Sequence, residues 1–128
     1  AASDVYKRQI LYRLIAGRRA RVDDFRSPLQ LRRPRPPEFD IFEGAQADPY
    51  AAISMWATAA QAARRAKPGS GQHVARVVIP DSASRTYMTV RRTSTREGHF
   101  DVWGRGSRIV RFVAAELTIQ EALASGRV

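Results

Sequence analysis

Between Tyr50 and Pro80 the apolar and polar positions alternate in a way that predicts strand, helix, strand. Ala51-Ala-Ile-Ser-Met-Trp56 reads as an extended segment. Thr58 and Gln61 stand at capping-box spacing: the Thr hydroxyl accepts from the Gln61 N–H while the Gln61 side chain reaches back to the N–H of Thr58, which predicts a helix from Ala59. Ala59, Ala62, Ala63 and Ala66 share one helical face, with Gln61, Arg64 and Arg65 on the other. A face of alanines lets a helix lie close to a sheet. Pro68-Gly-Ser-Gly71 ends the helix, and His73-Val-Ala-Arg-Val-Val-Ile79 has the few polar breaks expected of a strand covered on both faces.

The flanking sequence extends this pattern. Ile10-Leu-Tyr-Arg-Leu-Ile15 is a strand by composition, with Leu11, Arg13 and Ile15 on one face and Ile10, Tyr12 and Leu14 on the other. Gly17-Arg-Arg-Ala-Arg21 is a basic turn, and Val22-Asp-Asp-Phe-Arg26 fits one helical turn with acids near its start. From Ser27 to Asp48 the periodicity dissolves into a Pro/Arg-rich loop around Pro34, Pro36 and Pro37. Beyond Pro80, Asp81-Ser-Ala-Ser reads as a turn, Arg85–Arg91 as a half-buried strand and His99–Trp103 as another, with His99, Asp101 and Trp103 on one face. Gly104–Ser107 turns the chain into a strand Arg108–Ala114, and Leu117–Leu123 is a short helix capped by Thr118. The expected fold class is α+β, a small and mostly antiparallel sheet with one or two short helices.

Composition narrows the chemistry. At 128 residues one domain is expected, spanning residues 10–128 and carrying the Pro/Arg-rich loop at 27–48. Residues 1–9, Ala-Ala-Ser-Asp-Val-Tyr-Lys-Arg-Gln, resemble translated adapter read-through, and are expected to stand outside the fold as a non-native leader. The absence of cysteine excludes disulfides and thiolate metal ligands. No apolar run reaches membrane-spanning length and no signal-peptide pattern opens the sequence, so the default expectation is a soluble cytoplasmic protein without membrane contact. Formal charge is +10, from 22 basic and 12 acidic residues, and 20 of the 22 are arginine. Such a ratio fits a GC-rich coding bias as well as it fits selection for phosphate contacts. Glu38, Asp40, Glu43 and Asp48 form an acidic stretch able to pair with the basic first third of the chain.

Two histidines, without cysteines, are too few for a zinc site, and no metal ligand set is expected. Neither a Gly-x-Ser-x-Gly elbow nor a phosphate-binding P-loop is present. Trp56 and Trp103 can stack bases or fill a core. Arg13, on an apolar strand face, requires a partner, because an unpaired buried charge is costly. That partner is a carboxylate of the same fold or a ligand phosphate held by the guanidinium fork.

Set in order, Tyr12-Arg13 on the first strand, a long loop, Ile53-Ser-Met-Trp56, the alanine helix, a glycine turn and His73–Ile79 before Pro80 resemble the element order of ADP-ribosyltransferase-like folds. The Tyr12-Arg-Leu-Ile15 start and the segment Gly98-His-Phe-Asp-Val-Trp-Gly104 are also similar to a group of small actinobacterial proteins. The transferase resemblance implies a cleft for NAD or another phosphate-bearing nucleotide, with Arg13 on the dinucleotide, Ser54 beside the nicotinamide ribose, and Tyr12 and His99 lining the site. The family's Ser-Thr-Ser pattern is reduced here to Ser-Met-Trp. The glutamate that orients the ribose hydroxyl in that family has only Glu97 and Glu116 as counterparts, neither in a recognisable motif.

A different class of reading rests on charge alone: a basic nucleic-acid-binding module using Arg18, Arg19, Arg21, Arg32, Arg33 and Arg35. A third is a protein-interaction module of the toxin or immunity type, docking through the Pro-rich loop.

Overall fold

A six-stranded sheet, ordered β4-β5-β2-β1-β3-β6, is the frame of the molecule, and every pairing in it is antiparallel. The computed structural model describes residues 8–28, 31, 51–86, 88–92 and 96–125. The strands are β1 (Gln9–Ile15), β2 (Ile53–Trp56), β3 (His73–Ile79), β4 (Thr89–Arg91), β5 (His99–Trp103) and β6 (Val113–Thr118). Four short helices join them: α1 (Ala59–Ala63), α2 (Asp81–Thr86), α3 (Gly106–Ile109) and α4 (Ile119–Ser125). Single 3-10 turns lie at Val22–Asp24 and Val110–Phe112. The α+β class and the antiparallel sheet stand as expected, whereas the described residues form four short helices where one or two were expected. Among the described residues no helix is long and apolar enough to cross a membrane.

Because side chains alternate across a strand, the sheet has two distinct cores. Leu11, Ile15, Ile53, Met55, Ala75, Val77, Ile79 and Val102 meet on one face, under Phe25, Ala83, Met88 and Ile109. On the other, Val74 packs with Ala59, Ala62 and Ala63 of α1 and Ala122 of α4, ringed by Tyr12, Leu14, Trp56 and Leu117. Thus β3 is buried from both sides, as its composition requires. The alanine face of α1 allows α4 to pack beside it on the same core.

Both helix starts on this side are fixed by reciprocal caps. Thr58 Oγ accepts from Gln61 N at 3.1 Å while Gln61 Oε1 accepts from Thr58 N at 3.1 Å. Thr118 and Glu121 repeat the arrangement, again at 3.1 Å in both directions. The α1 helix is shorter than the alanine spacing predicts, because Arg65 N and Ala66 N bond to carbonyls three residues back and tighten the last turn.

Two strand expectations are corrected. In place of a strand over Arg85–Arg91, α2 begins directly after Pro80, and only Thr89–Arg91 is extended. The Pro80 carbonyl accepts from Ala83 N and the Ala83 carbonyl from Met88 N, and both Ala83 and Met88 are buried in the first core. That burial decides the local structure over the alternating pattern. Likewise the chain from Gly106 to Phe112 is helical, and β6 starts five residues later than the sequence pattern suggests, at Val113. Here Gly106 lies against the Val22–Asp24 turn: a Cβ on it would fall 2.6 Å from the Phe25 carbonyl oxygen. The Arg-x-x-Arg pattern gives no sign of this contact.

Candidate anion-binding site

The loop that leaves β1 is built by two carboxylates. Asp24 Oδ1 accepts from Ala16 N at 3.0 Å and its Oδ2 from Arg21 N at 2.8 Å, so one side chain closes both ends of the loop. Glu116, on β6, accepts from Ala20 N through Oε2 at 2.9 Å. Asp23, the other acid here, pairs with Arg26 at 2.6 Å. Each described acid of this surface, Asp23, Asp24 and Glu116, is therefore already engaged, two of them by backbone N–H groups.

The cations are not. Arg18, Arg19 and Arg21 are exposed, and their guanidinium groups make no hydrogen bond or ion pair with any described residue. Nor do the backbone N–H groups of Gly17, Arg18 and Arg19. Together with Ala16, Gly17, Asp23 and Asp24 these arginines line an open concavity of about 560 Å³. Unpartnered donors therefore stand beside carboxylates that already accept hydrogen bonds, which is the chemistry of an anion site. Phosphate oxygens suit it, because guanidinium forks bind them through paired hydrogen bonds.

Arg13 occupies a different place. It lies on the Leu11 and Ile15 face, and its guanidinium reaches main-chain carbonyls: Nε donates to Asp24, Nη1 to Ser54 at 2.7 Å and Nη2 to Arg26 at 3.4 Å. Strands β1 and β2 pair only at Tyr12 and Trp56, and Arg13 joins them where the ladder stops. The described partners are carbonyl oxygens of the loop after β1 and of β2. Ser54 meets Arg13 through its backbone, while its exposed side chain points to the opposite face.

That opposite face carries Tyr12, Trp56 and His99 side by side on adjacent strands. Tyr12 OH accepts from Arg76 Nε at 3.2 Å, and Arg65 stacks 4.6 Å above the Trp56 ring. His99 meets Trp56 edge-on, with centroids 4.9 Å apart. Its Nε2 is 4.0 Å from Asp101 Oδ1, and its buried Nδ1 finds no hydrogen-bond partner among the described residues. Burial, with Arg96 and Arg65 nearby, holds the His99 pKa below its ordinary value. Burial pushes the Asp101 carboxyl up to about 6.

The two remaining acid candidates also have structural contacts. Glu97 is exposed, and its carbonyl accepts from Gln61 Nε2 at 3.4 Å. Glu116 holds the basic loop. Arg32, Arg33 and Arg35 lie outside the described residues. The structure thus gathers Arg18, Arg19, Arg21 and Glu116 at one place and Tyr12, Ser54 and His99 on one face, with Arg13 between strands. Sequence reading missed Asp24 as the clamp of the loop, although an acid three residues after Arg21 and next to a helical turn was the available signal. Among the described residues no group of three metal-ligating side chains comes together. Comparison with family models, curated proteins and solved structures returned no match.

Proposed function

We propose that this protein binds the phosphate backbone of nucleic acid through the loop Ala16–Asp24. The observation that carries this reading is that Arg18, Arg19 and Arg21 surround an open concavity without partners among the described residues, while the neighbouring described carboxylates are bonded. In a chain of net charge +10, such a cluster is an electrostatic footprint for a polyanion. The described lining is arginine, aspartate, alanine and glycine, which suits contact with phosphates rather than base edges. The test is fluorescence anisotropy of labelled RNA and DNA oligonucleotides across a salt series. Each phosphate neutralised on duplex DNA adds about 0.9 to the slope of log affinity against log salt. The triple variant R18A/R19A/R21A should flatten that slope and weaken binding. A salt-independent affinity, or an unaffected triple variant, refutes the reading.

A free nucleotide is the second reading, favoured by the dimensions of the concavity. About 560 Å³ lies within the range of small-molecule sites, and a dinucleotide diphosphate offers the same phosphate chemistry. In its ADP-ribosyltransferase-like form this reading draws on Arg13, Ser54, Tyr12 and His99, with Glu97 or Glu116 as the acid, and takes NAD as ligand. Arg13 would then have to exchange carbonyl partners for phosphate. Calorimetric titration with NAD and with ADP-ribose separates the two readings: saturable binding lost in the triple variant places the nucleotide at the loop. Heat lost only in Arg13→Ala, in a protein that stays folded, places it at the first strand.

A further inference from the structure

Within the loop, Ala20 marks the point where distant sequence intervenes. Its N–H is bound by Glu116, 96 residues further along the chain, at 2.9 Å. Residues 16 and 21 are already held by Asp24, so without Glu116 the segment between them has no other side-chain anchor among the bonds described for it. Glu116 projects from β6 on the face of Ala75, its register partner, and so toward the first core, onto which Ala20 packs. It therefore meets the loop from the sheet side and leaves the arginine side chains facing solvent.

We propose that Glu116 is the positioning residue of the Arg18, Arg19 and Arg21 site, fixing the loop while its negative charge restrains the affinity for phosphate. The inference rests on the phosphate-binding reading above and adds a regulatory element to it. Two effects of opposite sign are combined in one side chain. As an acceptor it pre-organises the cations, which lowers the ordering cost of binding. As a charge beside the cluster it opposes an incoming anion.

Two variants separate the effects. Glu116→Gln keeps an acceptor for the Ala20 N–H and removes the charge. Glu116→Ala removes both. Amide hydrogen exchange at Ala20, measured without ligand, should stay slow in E116Q and become fast in E116A. Oligonucleotide anisotropy at low salt should show E116Q binding roughly 2–5-fold more tightly than the wild type, the size expected for one exposed charge. E116A should bind roughly 3–10-fold more weakly than E116Q, as a loosened loop must be ordered on binding. Slow exchange at Ala20 in E116A, or equal affinity in the two variants, overturns the assignment. If the wild type binds no oligonucleotide while the exchange result holds, the phosphate reading is what fails, and Glu116 is left as a loop anchor alone.

Discussion

The basic loop and the Tyr12–His99 sheet face use the same residue types in opposite ways. At the loop, Asp24 and Glu116 bond to backbone N–H groups and leave arginines facing water. On the sheet face, Arg65 and Arg76 lie on aromatic rings, and a half-buried His99 stands close to the buried Asp101. Charge is available where carboxylates satisfy the main chain and is withdrawn where side chains satisfy one another. Net charge alone therefore does not locate a polyanion site; the partner of each acid does.

The largest effect is expected at Arg13, which stands between the two regions. Arg13→Ala should destabilise the fold by about 2–4 kcal/mol, because several carbonyls lose a charged donor at once. Lysine should not rescue it, since a single ammonium cannot span the fork geometry. Urea unfolding checks both, and a stable Arg13→Ala protein would show that the strand junction does not depend on this side chain.

Removing the loop clamp comes next. Asp24→Ala frees two backbone N–H groups and should cost about 1–2 kcal/mol, while fast exchange appears at the Ala16 and Arg21 amides. The contrast with the sheet face fails if exchange there is unchanged.

The sheet face has a pH signature of its own. Asp101, pushed to about 6 from 3.8, keeps a proton in the folded chain that the unfolded chain releases, so its contribution falls as pH rises from about 4 to 6. His99, held below 6.5, stays neutral while the unfolded chain takes up a proton, so its contribution is lost as pH falls below 6.5. The two slopes oppose each other. Asp101→Asn should expose a stability that rises toward pH 6.5, and His99→Gln one that falls from pH 4 to 6. Denaturant midpoints across the series give the signs, and a wild-type profile retained by both variants would break the pairing of these groups.

The smallest effects are at the caps. Thr58→Ala and Thr118→Ala should each cost about 1 kcal/mol, visible as a modest fall in Tm without any change in oligonucleotide binding.

Features set by short spacing were legible in the sequence. Thr58 with Gln61, Thr118 as a cap, the two-sided burial of β3 and the face of Arg13 all follow from positions a few residues apart. What was illegible depends on contact between distant segments. The carbonyls that receive Arg13 belong to the turn after β1 and to β2, and carbonyls carry no residue signature. Glu116 is recognisable as an acid but not as the anchor of Ala20. Ala83 and Gly106 turn presumed strand into helix because of where they pack, and alternation of Thr, Met and Val cannot report that.

The position of β1 has a kinetic consequence. It is the first of the described strands yet lies inside the sheet, between β2 and β3, with Gln9 opposite Ile79. Its ladder cannot close until segments far along the chain have arrived, and the edges β4 and β6 are added from still later sequence. Such distant pairings give a high contact order, so folding is expected on the millisecond-to-second scale typical of non-local sheets, with β1 as an unsatisfied apolar strand until β3 reaches it.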